Sequence, residues 1–103
     1  MVIHSLDNTQ FKLVLKLQES KYRKKYGLFL IEGEHLIQEA LKYNRLETLI
    51  LQEDALISIP FKNTLIFSKP LMSKLSQTVS HTSIMGICRI EEYEISNPQR
   101  ILL

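Results

Sequence analysis

Reactive residue types are scarce in this chain of 103 residues. Cys88 is its single cysteine and lies in an apolar run, which excludes an internal disulfide and fits a reducing compartment. The three histidines, His4, His35 and His81, are far apart and have no second histidine or cysteine at metal-ligand spacing. The sequence also contains no G-x-S-x-G, no G-x-G-x-x-G and no phosphate-loop lysine motif. No catalytic constellation emerges from these residues.

Long hydrophobic runs are also missing. No run approaches the roughly 18 residues that a membrane span requires. Polar residues 7–10 precede any long apolar run, which is not the pattern of a secretory signal peptide. We therefore expect a soluble, cytoplasmic domain with no membrane partner.

Positive charge is the most uneven property of the chain. A composition of 45% hydrophobic and 23% charged residues is typical of one globular domain, and the formal net charge is only +2. Six of the 13 lysine and arginine residues nevertheless lie within residues 12–25: Lys12, Lys16, Lys21, Arg23, Lys24 and Lys25. The local distribution of charge therefore indicates more about binding than the total does.

The first half of the chain alternates between helix and strand patterns. Apolar residues at helical spacing predict a helix from about residue 8 to 20, reaching residue 24 at its longest, with Asp7 or Asn8 as the N-cap. Consecutive apolar residues over 28–31 predict a strand that is buried on both faces. A helix then begins at Gly33 and ends near Asn44, and residues 46–51 form a second strand. This strand–helix–strand unit predicts a parallel pair.

The second half continues the alternation. Residues 53–57 suggest one or two helical turns, residues 64–67 a strand, and residues from 68 or 69 to 75 a helix with Pro70 in its first turn. A polar loop over 76–83 leads to a fourth strand at 84–90. The predicted fold is α/β: a three-layer α/β/α sandwich with a four-stranded mixed sheet.

Residues 21–26, Lys-Tyr-Arg-Lys-Lys-Tyr, have two interpretations. Cations interleaved with aromatic rings are typical of surfaces that contact phosphates and stack on bases. The same pattern also describes a solvated helix end whose charge suits the helix dipole. Gly33 similarly offers either backbone N–H groups to an anion or a simple sharp turn.

Several of these segments together resemble one protein family. They occur in the family's order and cover residues 3–92: Ser5-x-x-Asn8-x-x-x-Lys12, Lys21-x-Arg23, Phe29-Leu30-Ile31-Glu32-Gly33, Glu39-Ala40-Leu41, Leu75-Ser76-x-Thr78 and Gly86-Ile87. The chain is similar to the N-terminal substrate-binding domain of SpoU/TrmH-type RNA 2′-O-ribose methyltransferases, within the SPOUT class. The most specific segments are Lys21-x-Arg23 and residues 29–33.

The resemblance implies a fold similar to that of a large-subunit ribosomal protein that binds kinked RNA. It implies that residues 1–92 bind an RNA substrate. Ribosomal RNA is the expected substrate, and transfer RNA is the alternative. Residues 93–103 would then be a linker and the start of a C-terminal knotted methyltransferase domain. That domain would bind S-adenosylmethionine and form a homodimer in the full-length protein, whereas this fragment alone would hold no cofactor, no metal and no catalytic residue.

The implied RNA-binding residues form three groups. Lys12, Lys21, Arg23, Lys24 and Lys25 would neutralise phosphates, with Arg23 suited to bidentate contact. Glu32 and Gly33 would shape the turn where RNA approaches, or Glu32 would orient nearby basic side chains or backbone amides. A second lip of the site would be formed by Ser80, Thr82 and Gly86.

Three other functions stay open at this point. The first is a stand-alone, ribosomal-protein-like module that binds structured RNA. The second is a small enzyme in its own right, and the third is a protein-interaction domain with an incidental basic face, whose binding would be insensitive to salt.

Overall fold

A computed structural model gives the fold of this chain and describes residues 1–56, 59–75 and 82–90. Short apolar runs alternate with amphipathic segments, and the described residues form five strands and four helices. In chain order these are β1 (Val2–Ile3), α1 (Thr9–Lys16), α2 (Ser20–Tyr26), β2 (Leu28–Glu32), α3 (Glu34–Lys42), β3 (Leu46–Gln52), β4 (Thr64–Phe67), α4 (Lys69–Leu75) and β5 (Ile84–Arg89).

The strands form one mixed sheet in the order β1-β4-β3-β5-β2. β1 pairs in parallel with β4, and β4 pairs in parallel with β3. β5 lies between β3 and β2 and is antiparallel to both. The predicted α/β class and mixed sheet are therefore confirmed, but the sheet has five strands rather than four. The prediction missed β1 because a two-residue strand has no periodicity of its own and forms only by pairing with β4.

Helices cover both faces of the sheet, as the three-layer prediction requires. On one face, α1 and α4 enclose a buried cluster with the sheet: Phe11, Val14, Leu17, Ile50, Phe67, Leu71, Met72, Leu75, Met85 and Ile87. Phe11 and Phe67 make an edge-to-face aromatic contact, with their ring centroids 5.4 Å apart. This contact joins α1 to β4. On the other face, Ile37 and Ala40 of α3 pack against β2, β3 and β5.

β5 contributes to both cores by simple alternation along the strand. Met85 and Ile87 belong to the cluster under α1 and α4, whereas Ile84 and Cys88 belong to the cluster under α3. Gly86 shares the α3 side, where a Cβ atom would lie 2.5 Å from Ile37 Cδ1 and 2.7 Å from Leu46 Cδ1. The missing side chain therefore lets α3 approach the sheet closely.

Specific caps fix the ends of the helices. The Oδ1 atom of Asn8 accepts a hydrogen bond from the Phe11 N–H at 3.0 Å, so Asn8 and not Asp7 is the N-cap of α1. Gly27 ends α2 in the left-handed region, with φ 68°, and its N–H donates to the Arg23 carbonyl. Asn44 has φ 55° just after α3, which confirms the predicted end of that helix.

The single helix predicted from residue 8 is in fact two helices. α1 ends at Lys16, residues 17–19 form a turn, and α2 begins at Ser20. Periodicity alone continues through this break because Tyr22 keeps the apolar spacing of α1. The chain changes direction after Leu17, which is the last residue of α1's apolar stripe to be buried.

The predicted pairing of β2 with β3 is also wrong in one respect. Both strands run antiparallel to β5, so they are parallel to each other, yet they are separated by β5 and share no hydrogen bonds. The sequence of β5 lies far from the strand–helix–strand unit. The sequence pattern of that unit therefore cannot predict the strand that separates its two halves.

Residues 53–56 form a turn instead of the predicted helical turns. The carboxylates of this turn support the start of α4, since the Lys69 N–H donates to Glu53 Oε2 at 2.8 Å. Asp54 lies 3.0 Å from Lys69 Nζ, and a hydrogen bond from the Gln52 amide followed by the Lys69 contact lowers the pKa of Asp54. Residue 57, the loop prediction over 76–81 and the predicted tail from residue 91 lie outside the described residues.

The close approach at Gly86 gives a test of the fold. We expect Gly86→Ala to lower the free energy of unfolding by about 1–3 kcal/mol, because the new methyl group meets Ile37 and Leu46 in a packed core. Chemical denaturation measures this loss. Ile37→Val removes the Cδ1 atom, so the double variant should lose less than the sum of the two single losses. Strict additivity would contradict the proposed contact.

Candidate functional site

An open cleft runs along the free edge of β2. Because β5 is the only strand that pairs with β2 among the described residues, the other edge of β2 stays uncovered by the sheet. The cleft has a volume of about 730 Å³. Its walls come from the end of α1 and the turn after it, from α2, β2, α3, α4 and β5, and from the residue that follows β5. The lining residues are Leu17, Gln18, Ser20, Arg23, Lys24, Phe29, Leu30, Ile31, Glu32, Leu36, Leu75, Met85 and Ile90.

Arg23 has a structural task in this cleft. Its Nη1 atom donates hydrogen bonds to the backbone carbonyls of Leu17, at 3.2 Å, and Gln18, at 3.1 Å. These carbonyls lie where α1 ends and would otherwise lack helical partners. A cation at a helix C-terminus also suits the helix dipole. Arg23 therefore joins α2 to the end of α1, and only the remaining part of its guanidinium group stays available for the predicted phosphate contact.

A second contact closes the same corner of the cleft. The side-chain amide of Gln18 donates a 2.7 Å hydrogen bond to the Leu75 carbonyl at the end of α4. This bond fastens the turn after α1 to the last residue of α4. Sequence patterns do not predict this bond, since the two residues are 57 positions apart along the chain.

The predicted lysines differ in their positions. Lys24 lines the cleft and is exposed, and Lys21 and Lys25 are exposed on the same helix, α2. Lys12 is exposed on α1, with its Nζ atom 3.8 Å from Asp7 Oδ1. Of the three α2 lysines only Lys24 lines the cleft, whereas Lys21 and Lys25 are exposed elsewhere on that helix and Lys12 lies on a separate helix.

The Glu-Gly turn lies at the carboxyl end of β2. Glu32 lines the cleft with Arg23 and Lys24, so residues of opposite charge share it. Gly33 has φ 100° and ψ 150°, a conformation that favours glycine. Its N–H donates to the Ile84 carbonyl at 3.1 Å. That N–H is therefore used to join the turn to β5 and is not itself available to an anion.

The predicted second lip is only partly described. Ser80 lies outside the described residues. The Thr82 hydroxyl bonds to the backbone of Ile84, accepting from its N–H at 3.3 Å and donating to its carbonyl at 3.2 Å. Because the Ile84 carbonyl also binds Gly33, Thr82 adjoins the Glu-Gly turn. Gly86 is buried beneath Ile37, so its surroundings give it a packing role and no exposed surface.

Two stacked tyrosines of α2 were not among the predicted site residues. The rings of Tyr22 and Tyr26 are nearly parallel, with an interplanar angle of 15° and centroids 6.3 Å apart. The spacing of four residues on one helix was the signal that could have revealed this pair.

The described residues contain no cluster of three or more histidine, cysteine or acidic side chains that could hold a metal ion. None of the helices in the described ranges has the length and apolar character needed to cross a membrane. Burial raises the pKa of the Cys88 thiol to about 11, although the charges of Arg45 and Arg89 act in the opposite direction. A buried, neutral thiol of this kind is not a nucleophile at ordinary pH.

Comparison with known proteins places these features in context. A family model described as the MRM3-like substrate binding domain matches residues 8–86. The 23S rRNA (guanosine(2553)-2′-O)-methyltransferase RlmP of Bacillus subtilis (strain 168) is 29% identical over 105 aligned positions. That alignment covers 98% of this chain but only 42% of the relative. The chain thus spans about two fifths of the length of the curated relative that it matches.

Solved structures share the fold. The crystal structure of an RNA 2′-O ribose methyltransferase superposes with a TM-score of 0.78 at 28% identity, over 89% of this chain and 38% of that one. The SpoU methyltransferase AviRb from Streptomyces viridochromogenes, in complex with AdoMet, gives a TM-score of 0.74 at 16% identity. That match covers 93% of this chain and 39% of AviRb, and at such low identity it shows the fold alone.

The hydrogen bonds of Arg23 lead to a stability prediction. We expect Arg23→Ala to lower the free energy of unfolding by about 1–2 kcal/mol, because two carbonyls at the end of α1 lose a charged donor. Lys24→Ala removes the same charge from the neighbouring, exposed position and should change stability by less than about 0.5 kcal/mol. Chemical denaturation of both variants provides the comparison. Equal losses would show that Arg23 acts through its charge and not through these bonds.

Burial of Cys88 predicts slow alkylation and a particular pH dependence. The pKa of the thiol is about 11 in the folded chain against a usual value of 9.0, so iodoacetamide at pH 8 should label the folded chain about a hundredfold more slowly than the denatured chain. A raised pKa means that the folded state retains the proton. The resulting stabilisation is therefore complete below about pH 9 and disappears as pH rises to about 11. Between these pH values, the free energy of unfolding should fall by less for Cys88→Ala than for the unmodified chain. Identical pH profiles for the two proteins would contradict the prediction.

Proposed function

This chain belongs to the MRM3-like substrate-binding domain family, and on that premise we propose that it binds large-subunit ribosomal RNA through the cleft beside β2. The resemblance to SpoU/TrmH substrate-binding domains that the sequence motifs indicated is thereby confirmed. The observation that carries the proposal is the position of Arg23 and Lys24 in that cleft, with Lys21 and Lys25 exposed on the same helix. The relative RlmP supports the choice of RNA, since its name specifies 23S rRNA.

In this proposal the lysines and the arginine have different tasks. Lys21, Lys24 and Lys25 neutralise phosphates, because exposed ammonium groups on one helix can follow a charged backbone. Arg23 positions α2 against α1 and contributes its remaining donors to the same RNA. Lys12, on α1, would meet a more distant phosphate of the same strand.

The Glu-Gly turn would define one wall of the RNA site. Glu32 shares the cleft with Arg23 and Lys24, so it would orient these cations and disfavour a phosphate placed directly beside it. Gly33 would hold the turn against β5, and the hydroxyls of Thr82 and Ser80 would line the opposite lip. Gly86 would support this arrangement from within the core.

We further propose that the full-length protein is an S-adenosylmethionine-dependent RNA 2′-O-ribose methyltransferase of the cytoplasm, with residues 1–92 as its substrate-binding domain. The chain covers 42% of RlmP, which leaves most of that relative's length for catalysis. The cofactor and the homodimer contact would both belong to a knotted domain whose start lies within residues 93–103.

Salt dependence of RNA binding tests the proposed interface. The probe is a 23S rRNA fragment that contains guanosine 2553, the nucleotide in the name of the Bacillus relative, with binding followed by fluorescence anisotropy at several salt concentrations. We expect the double variant Lys21→Ala, Lys24→Ala to bind more weakly. The slope of log K against log salt should become shallower by about 1.5, since two phosphate contacts are lost. Arg23 is left intact so that folding is unaffected.

The double variant Lys42→Ala, Lys62→Ala is the matched control. It removes the same charge from two exposed lysines outside the cleft lining, on α3 and before β4. It should retain the slope of the unmodified chain. If the control pair and the α2 pair flatten the slope equally, binding depends on total charge and the proposed interface is wrong.

A further inference from the structure

The stacked tyrosines of α2 form an exposed aromatic surface. Tyr22 and Tyr26 lie one helical turn apart with their rings within 15° of parallel. Tyr26 is 41% exposed, and Tyr22 is partly exposed. α2, which the structure describes in full, buries none of its residues. The two rings therefore do not serve a hydrophobic core, which is the usual reason for two neighbouring aromatic side chains on a helix.

Three lysines surround this pair. The Nζ atoms of Lys21 and Lys16 lie 5.0 and 5.6 Å from the centroid of the Tyr22 ring, and Lys25 lies 5.7 Å from that of Tyr26. Lys16 comes from the last turn of α1, so the cations reach the rings from two helices. Ammonium groups next to aromatic faces are favourable by themselves. They also place positive charge where the phosphates beside a stacked base would lie.

We propose that Tyr22 and Tyr26 are a stacking platform for an unpaired nucleobase of the RNA. Aromatic rings bind bases without regard to sequence because every base has a π-face, and adjacent cations bind the phosphates on either side. Bases inside a duplex are already stacked on their neighbours, so the platform takes a base from a loop, a bulge or a single-stranded end. The proposal rests on RNA being the ligand of the cleft and adds the kind of nucleotide that the domain recognises.

Arg23 holds the helix that carries the two tyrosines in a fixed position. It lies between the two tyrosines in the sequence and binds the carbonyls of Leu17 and Gln18 on the other side of the α1–α2 turn. This contact holds α2 against the end of α1, which carries Lys16. The rings and their cations are thereby kept in one place relative to the cleft, where Ser20, Arg23 and Lys24 face β2.

The test separates base stacking from phosphate contact. Two RNAs are used: a stem-loop with ordinary loop nucleotides, and the same stem-loop with abasic sites throughout the loop, so that both carry equal phosphate charge. We expect Tyr22→Leu, Tyr26→Leu to bind the first RNA about tenfold more weakly. Binding of the abasic RNA should be unchanged, and the salt slope should be the same for both proteins. Tyr22→Phe, Tyr26→Phe retains the rings and should bind as the unmodified chain does.

Tyr43 supplies the matched control. It is 63% exposed at the end of α3, with Lys42 Nζ 5.5 Å from its ring centroid, but it has no partner ring within the described residues. Tyr43→Leu should leave binding of both RNAs unchanged. An equal loss for the ordinary and the abasic RNA in the leucine double variant, or no loss for either, would overturn the platform. The lysine variants above would still report the phosphate interface, so failure of the platform and failure of the RNA-binding proposal are distinguishable.

Discussion

The antiparallel strand β5 holds together the two halves of the sheet and both hydrophobic cores. It lies between β3 and β2, runs against both, and buries five of its six residues in the two cores of the domain. Met85 and Ile87 meet α1 and α4, whereas Ile84 and Cys88 meet α3. Among the described strands, β2 has no sheet partner other than β5. Without this strand, the β2–α3–β3 unit would have an uncovered gap at its centre, and the binding edge would have no support.

The location of the site follows from that arrangement. With β5 on one side of β2, the opposite edge is open, and α2 borders it because the chain passes directly from α2 through Gly27 into β2. The break between α1 and α2 also determines where the site lies. The turn at residues 17–19 allows α2 to start in a new direction, and Ser20, Arg23 and Lys24 of α2 line the cleft. Arg23 maintains the turn by binding the carbonyls that the broken helix leaves without partners.

The parts of the fold that were predictable from sequence are those whose signal is local. The strand at 28–31, the amphipathic pattern of α3 and the Asn44 cap are each local signals, and all three elements are confirmed. The prediction that this strand is buried on both faces is wrong, because β2 lies at the edge of the sheet and Leu28 and Leu30 are only partly buried. The failures depend on distant residues: β1 exists through its pairing with β4, and β5 separates β2 from β3. The site shows the same division. The cluster of cations on α2 was evident from composition, but the capping role of Arg23 depends on a helix break that periodicity does not reveal.

With a net charge of only +2, the proposed RNA binding depends on this local organisation of charge. At physiological ionic strength, electrostatic interactions are screened over about 8 Å, so cations scattered over a nearly neutral surface would add little to RNA affinity. Lys21, Lys24 and Lys25 instead lie together on the short helix α2, and Lys24 lines the cleft. Arginine serves where fixed geometry is needed, as in the cap of α1, and lysine serves where a mobile point charge can follow the ligand. The short helix α2 buries none of its residues, and its Arg23 side chain binds the end of α1.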